Sequence, residues 1–294
     1  MRALRLATAM AVSALLVGGL TACSGSHGSG AAPAASDGAT TAAPGTSAGA
    51  SGTPAPAPAD ASAQAAQQPA VDPKVALAGA AEVMAKAGSA KMTLTVQSES
   101  RPGAFVWKSP QAIEVATVDD GAEFKAVLSD GTLYMGLSAE RAESMDGKKW
   151  LKVDAGSSDG GSFASVQQML NPELQLGLHA KAGKLTRVGA EKIDGVDTVH
   201  YQSGLAVDAL VNGMAGLPAD AKPLVVDQLR RGGDTVVSDF WINAKGELLQ
   251  LRHSTIGLSS NTPVTVRYTE LGGVQSVPAP PKNEVFDLAS LIKG

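Results

Sequence analysis

The chain has 294 residues, a formal net charge of −4 and only 4% aromatic residues. That balance supplies neither the basic surface that neutralises phosphates nor the rings that stack on bases, which excludes a nucleic-acid partner. A single cysteine excludes an internal disulfide framework and any cysteine-rich metal site.

In chain order, Arg2 and Arg5 precede an apolar run over residues 7–20, the charged and apolar regions of a signal peptide. The run is too short for a comfortable membrane span, which takes about 20 apolar residues. Leu20-Thr21-Ala22-Cys23 closes it and resembles the bacterial lipobox. The resemblance implies cleavage after residue 22 and diacylglycerol on the sulfur of Cys23; the alternatives are an ordinary cleaved signal or an uncleaved anchor. A pair of acyl chains anchors stably where one is marginal. Residues 23–72 are then the lipidated cysteine and a tether of Ala, Pro, Gly, Ser and Thr, too poor in large apolar side chains to offset the entropy of ordering. A flexible coil of that length reaches on the order of 40 Å. Its composition permits O-glycosylation, and His27 within it reads as solvated.

Residues 73–294 are long enough for one domain with a sizeable core. Val75, Leu77, Ala78, Ala81, Val83, Met84 and Ala87 recur at helical spacing, and Gly88 is a stop. Strands are expected over residues 92–97, 105–107, 113–118 and 124–128, with an Asp120-Gly121 hairpin before the last. Ser129-Asp130-Gly131 turns the chain into a strand at 133–137, and another follows at 148–153. Residues 154–161 read as a Gly-rich loop. A helix carries Phe163, Val166, Met169 and Leu170, and 172–182 continues it after a break. Strands at 185–193 and 197–202 flank the Asp194-Gly195 turn. Helices are expected over 207–215 and 222–231, long strands over 235–242, 248–255 and 264–271, and a last helix over 283–293. Runs of adjacent strands joined by tight turns, without βαβ alternation, predict an α+β domain with an antiparallel sheet and helices on one face.

The closing hairpin reads Phe240-Trp241-Ile242-Asn243-Ala244-Lys245-Gly246-Glu247-Leu248-Leu249-Gln250-Leu251-Arg252. It resembles the hairpin of the LolA/LppX/LprG group of lipoproteins, although Asn243 stands where an acidic residue is expected. The tail Tyr268-Thr269-Glu270-Leu271-Gly272-Gly273, followed by Val277-Pro278-Ala279-Pro280-Pro281, is similar to that group's last strand and proline-rich exit. The resemblance covers residues 75–281. It implies a strongly curved antiparallel half-barrel covered by helices, a hydrophobic cavity between them, and a lipid or glycolipid ligand.

A cavity of this kind needs inward apolar side chains and no catalytic group. Candidates are Phe124, Leu128, Leu133, Met135, Ile242, Leu249 and Leu251 on strands, with Phe163, Val166 and Met169 on the covering helix. Plain core packing is the competing reading for each. Met135, Met169 and Met214 are adaptable gap-fillers in either case. His27, His179, His200 and His253 show no metal-ligand spacing, and no nucleophile elbow, phosphate loop or dinucleotide fingerprint is present. Neither catalysis, a metal nor a cofactor is expected, although a triad built from distant positions stays open, with His200 and His253 as facing candidates. Three readings compete: a monomeric, membrane-anchored lipid binder on the outer face of the cell membrane; a structural or protein-interaction lipoprotein with a filled core; and an envelope hydrolase.

Overall fold

The computed structural model describes residues 71–119, 122–129, 131–154, 160–254 and 263–287, with the side chains of 118–119, 154 and 160–163 outside that description. The expected signal peptide, Cys23, the tether up to residue 70, the Asp120-Gly121 turn and most of the loop at 154–161 lie outside the described residues.

Helix α1 (Pro73–Ala87) starts where the sequence provides a cap. Asp72 Oδ1 accepts from the Lys74 N–H at 2.8 Å, and Pro73 presets the first helical φ. It stops at Gly88, whose φ of 68° is the left-handed cap conformation. The strands that follow are β1 (Ser89–Val96), β2 (Glu99–Val106), β3 (Ala112–Asp119), β4 (Ala122–Ser129) and β5 (Thr132–Gly136). A short helix α2 (Ala139–Glu143), not expected from the sequence, precedes β6 (Trp150–Asp154). Helices α3 (Gly160–Leu170) and α4 (Pro172–Ala182) are separated by Asn171, whose Oδ1 caps α4 by accepting from the Leu174 N–H at 3.1 Å. Next come β7 (Lys184–Ile193), β8 (Val196–Ala206), α5 (Val207–Gly213), α6 (Ala221–Arg230), β9 (Thr235–Asn243), β10 (Leu248–His253) and β11 (Val264–Thr269).

The helix expected over residues 283–293 is not formed in its described part. A 3₁₀ turn (Lys282–Glu284) leads into β12 (Val285–Asp287), which lies parallel to β6. The free edge of β6 offers unpaired backbone groups, and those bonds outweigh the local pattern.

All twelve described strands form one large, curved, unclosed sheet in the order β12-β6-β5-β4-β3-β2-β1-β11-β10-β9-β8-β7. Every pairing but β12–β6 is antiparallel, so the expected α+β class holds with one parallel strand added at the edge. Strand β11 joins two runs of hairpins, β1–β6 and β7–β10.

Helices cover the inner face. The main apolar cluster joins Leu77, Ala80 and Met84 of α1 to inner-face side chains such as Met92, Phe105, Leu128, Leu133, Phe240, Leu251 and Val266. A second cluster gathers Leu205 and Val236 under α5 and α6, with Met169 of α3. On the outer face the proline-rich tail crosses β2–β6, where Val274 and Val277 pack on Val106, Ala112, Val127, Tyr134 and Trp150. The tail then supplies β12.

Candidate functional site

The inner face of β8, β9 and β10 carries a row of polar groups between the two apolar clusters. On β8 the inward series is Tyr201, Ser203, Leu205, and on β9 it is Phe240, Ser238, Val236. On β10, His253 follows Leu251. Strand register sets Ser203 opposite Ser238 and Ser238 opposite His253. From α4, Gln175 and His179 reach down to this row. Gly183 permits that approach, because a Cβ there would strike Ser203 Oγ and the His179 carbonyl. All five side chains are fully buried.

The last three carbonyls of α3 are each taken by a side chain. Gln175 Nε2 donates to the Gln168 carbonyl at 3.1 Å, His253 Nε2 to that of Met169 at 3.0 Å, and Tyr268 Oη to that of Leu170 at 2.7 Å. Helix ends leave such carbonyls without intrahelical partners, so these bonds fasten α3 to the sheet and to α4. Because a carbonyl only accepts, His253 Nε2 carries the proton. Its Nδ1 therefore accepts from the Ser238 hydroxyl at 2.8 Å.

His179 Nδ1 lies 2.8 Å from Ser203 Oγ, and the ring stands edge-on to Phe240 at 5.1 Å between centroids. Its Nε2 and Gln175 Oε1 have no hydrogen-bond partner. Burial pushes His179 down to about 3, with His253 adding a smaller lowering effect, and burial pushes His253 down to about 4. Both rings are neutral near pH 7 and weak as bases. The two Ser–His contacts thus form buried hydrogen-bonded pairs. The nearest acidic neighbour in sequence, Asp239, points to the opposite face of the sheet, where it bonds His200.

Of the ten apolar candidates, Leu128, Leu133, Ile242 and Leu251 are buried in the main cluster, and Met135 and Val166 pack against it. Met169 is buried in the second cluster. Phe124 is half-buried on β4 and belongs to neither cluster. Leu249 is half-buried at a register shift between Leu248 and Gln250, which lets both Leu248 and Leu251 turn inward in its place. The side chain of Phe163 lies outside the described residues.

His200 and His253 do not face one another, because they occupy opposite faces of the sheet. On the outer face His200 stacks on Trp241 at 4.3 Å and 14°. His200 Nδ1 is 2.9 Å from Glu191 Oε1 and its Nε2 is 2.9 Å from Asp239 Oδ1. Trp241 Nε1 donates to Glu191 Oε2 at 2.6 Å, and that bond is the main cause holding the Glu191 carboxyl below its usual range. Sequence reading considered His200 and His253 as a facing pair and missed the polar row. The available signal was Ser203 and Ser238 at inward positions of otherwise apolar alternation, with Gln175 and His179 one helical turn apart.

Outside the helical cover, α1 and α4 leave an open groove of about 540 Å³, floored by Val75, Ala78, Ala81, Gly177 and Ala180 with Lys74 and Lys181 beside them. Among the described residues no group of three or more His, Cys, Asp or Glu side chains is placed to hold a metal ion. No described helix is long and apolar enough to cross a membrane.

No family model and no curated protein matches the chain. Solved structures similar to it include lipoprotein LppX of Mycobacterium tuberculosis, at 13% identity and a TM-score of 0.45, over 71% of this chain and 100% of that one. LprF of Mycobacterium bovis is similar at 13% identity and a TM-score of 0.45, over 71% of this chain and 96% of that one. MucB in complex with MucA is more distant, at 14% identity and a TM-score of 0.30, over 72% of this chain and 58% of that one.

Proposed function

We propose that this chain is an envelope lipoprotein, acylated at Cys23 and held at the outer face of the cell membrane. Its domain, residues 73–294, binds or carries a lipid-like ligand between the sheet and the helices. The observation that carries this reading is the inner face of the sheet. A twelve-stranded open sheet turns apolar side chains from nearly every strand toward a cover of short helices. Two separate apolar clusters meet there across a polar row, as an amphipathic guest requires. Leu128, Leu133, Met135, Val166, Met169, Ile242 and Leu251 are the proposed apolar walls, with Phe124, Phe163 and Leu249 as flanking candidates.

A second reading, a protein-interaction lipoprotein with a filled interior, draws support from the open groove on α1 and α4 and from Val75, which is 63% exposed. Native mass spectrometry of the chain recovered from a bacterial envelope, followed by solvent extraction, separates the two. A stoichiometric adduct releasing acyl chains beyond those on Cys23 is expected. A mass without adduct, and no uptake of added phospholipid or glycolipid, would transfer the weight to the second reading. The anchor has its own test: Cys23→Ser should move the protein from the membrane fraction to the soluble one.

A further inference from the structure

We propose that Gln175 and His179 form a recognition site for one neutral hydroxyl group of the interior ligand, an inference that rests on the lipid-binding reading above. Both side chains are fully buried, and each keeps one polar atom without a partner: Gln175 Oε1 and His179 Nε2. They lie four residues apart on the inward face of α4, which makes their side chains neighbours. Their other polar atoms are committed, Gln175 Nε2 to the Gln168 carbonyl and His179 Nδ1 to Ser203 Oγ. The two unpartnered atoms therefore belong to neighbouring side chains on one buried face of α4, and buried polar atoms normally find partners.

Chemistry selects the partner. An amide oxygen only accepts, so the ligand must offer a proton to Gln175 Oε1. When Ser203 donates to His179 Nδ1, Nε2 carries a proton and needs an acceptor. A hydroxyl group meets both demands at once. A phosphate or carboxylate does not, because it would face the lone pairs of Gln175 with no cation to compensate. Burial keeps His179 and His253 neutral, so neither supplies that charge. An ether or alkyl end would satisfy at most one of the two atoms and leave a buried group unpaired, which costs affinity. The site also lies between two apolar clusters, giving acyl chains apolar walls on either side of the hydroxyl. The ligand class is an acylated alcohol with a free hydroxyl, such as a diacylglycerol.

The test offers the full chain 1,2-dipalmitoylglycerol and its 3-O-methyl ether in competition, read by native mass spectrometry. The free alcohol should bind about tenfold tighter, the value of one buried hydrogen bond. Combining Gln175→Met with His179→Phe should abolish the preference while both lipids still bind. On the unaltered protein, the ¹⁵N resonance of His179 Nε2 should shift with the alcohol and not with the ether. That measurement decides the matter if the double variant does not fold. Equal binding of both lipids with an unmoved resonance would overturn the hydroxyl site and leave lipid binding standing. Failure to bind either of these lipids or any other would remove the lipid-binding reading, and the site with it.

Discussion

Tyr268, His253 and Gln175 reach one helix end from three elements, and together they fix where α3 sits. Tyr268 is the simplest to probe. It is fully buried, its ring meets Trp107 edge-on at 6.3 Å between centroids, and its hydroxyl holds the Leu170 carbonyl. Tyr268→Phe keeps the ring and orphans the carbonyl. It should lower the unfolding free energy by about 1–3 kcal/mol, measured by urea unfolding. The histidines add a pH dependence with a definite sign. Unfolded, each ring takes up a proton near 6.5; folded, His253 resists to about 4 and His179 to about 3. Between those limits the unfolded chain binds more protons, so the fold loses stability as pH drops below about 6.5. The slope is about 1.4 kcal/mol per pH unit for each ring. Urea midpoints should fall between pH 7 and pH 5, and His253→Phe should flatten the fall; a midpoint that stays constant over that range contradicts the assignment. Sequence pattern identified the apolar inward positions at this scale but not their polar interruption. Alternation marks which face a serine is on, whereas partners such as Ser203 and His179 come from separate elements and only packing unites them.

Elements with a local cause were the legible ones. Asp72, Pro73 and Gly88 delimit α1 by backbone chemistry. The closing hairpin turns at Gly246, with φ of 78°. Asn243, departing from the expected acid, does more than a carboxylate can. Its Oδ1 accepts from the Lys245 and Glu247 N–H groups, and its Nδ2 donates to Glu247 Oε2 at 2.7 Å. The end of the chain was misread because its structure is not local. Residues 285–287 are extended only because β6 lies beside them, and the tail before them is held by the outer-face cluster. Val277, 7% exposed, is the centre of that strap. Val277→Asp would bury a charge against Val106 and Val127 and release the segment. Amide exchange should quicken over β12 and β6 while β8 and β9 keep their protection. Unchanged exchange at β12 would mean that the edge strand holds without the strap.

At the scale of the whole molecule, the α+β class with an antiparallel sheet followed from counting hairpins and finding no βαβ alternation, while the strong curvature of that sheet was expected only from the resemblance. Strand order did not, because hairpin chemistry pairs neighbours and says nothing of which distant strands meet. The decisive long-range pairing is β11 with β1, its other partner β10 being its neighbour in sequence. Six residues, Val264–Thr269, are the seam between two meanders that otherwise share no strand pairing. This arrangement sets a clock. A chain that crosses a membrane N-terminus first presents β1 early and must leave it half-paired until residue 264 arrives. Contacts of such sequence separation slow folding. The full chain should therefore refold slowly in one cooperative phase, and a chain ending at residue 254 should show no such transition by circular dichroism in urea. If the chain is exported as proposed, it would remain unfolded for most of its passage and acquire its interior only when nearly all of it is outside.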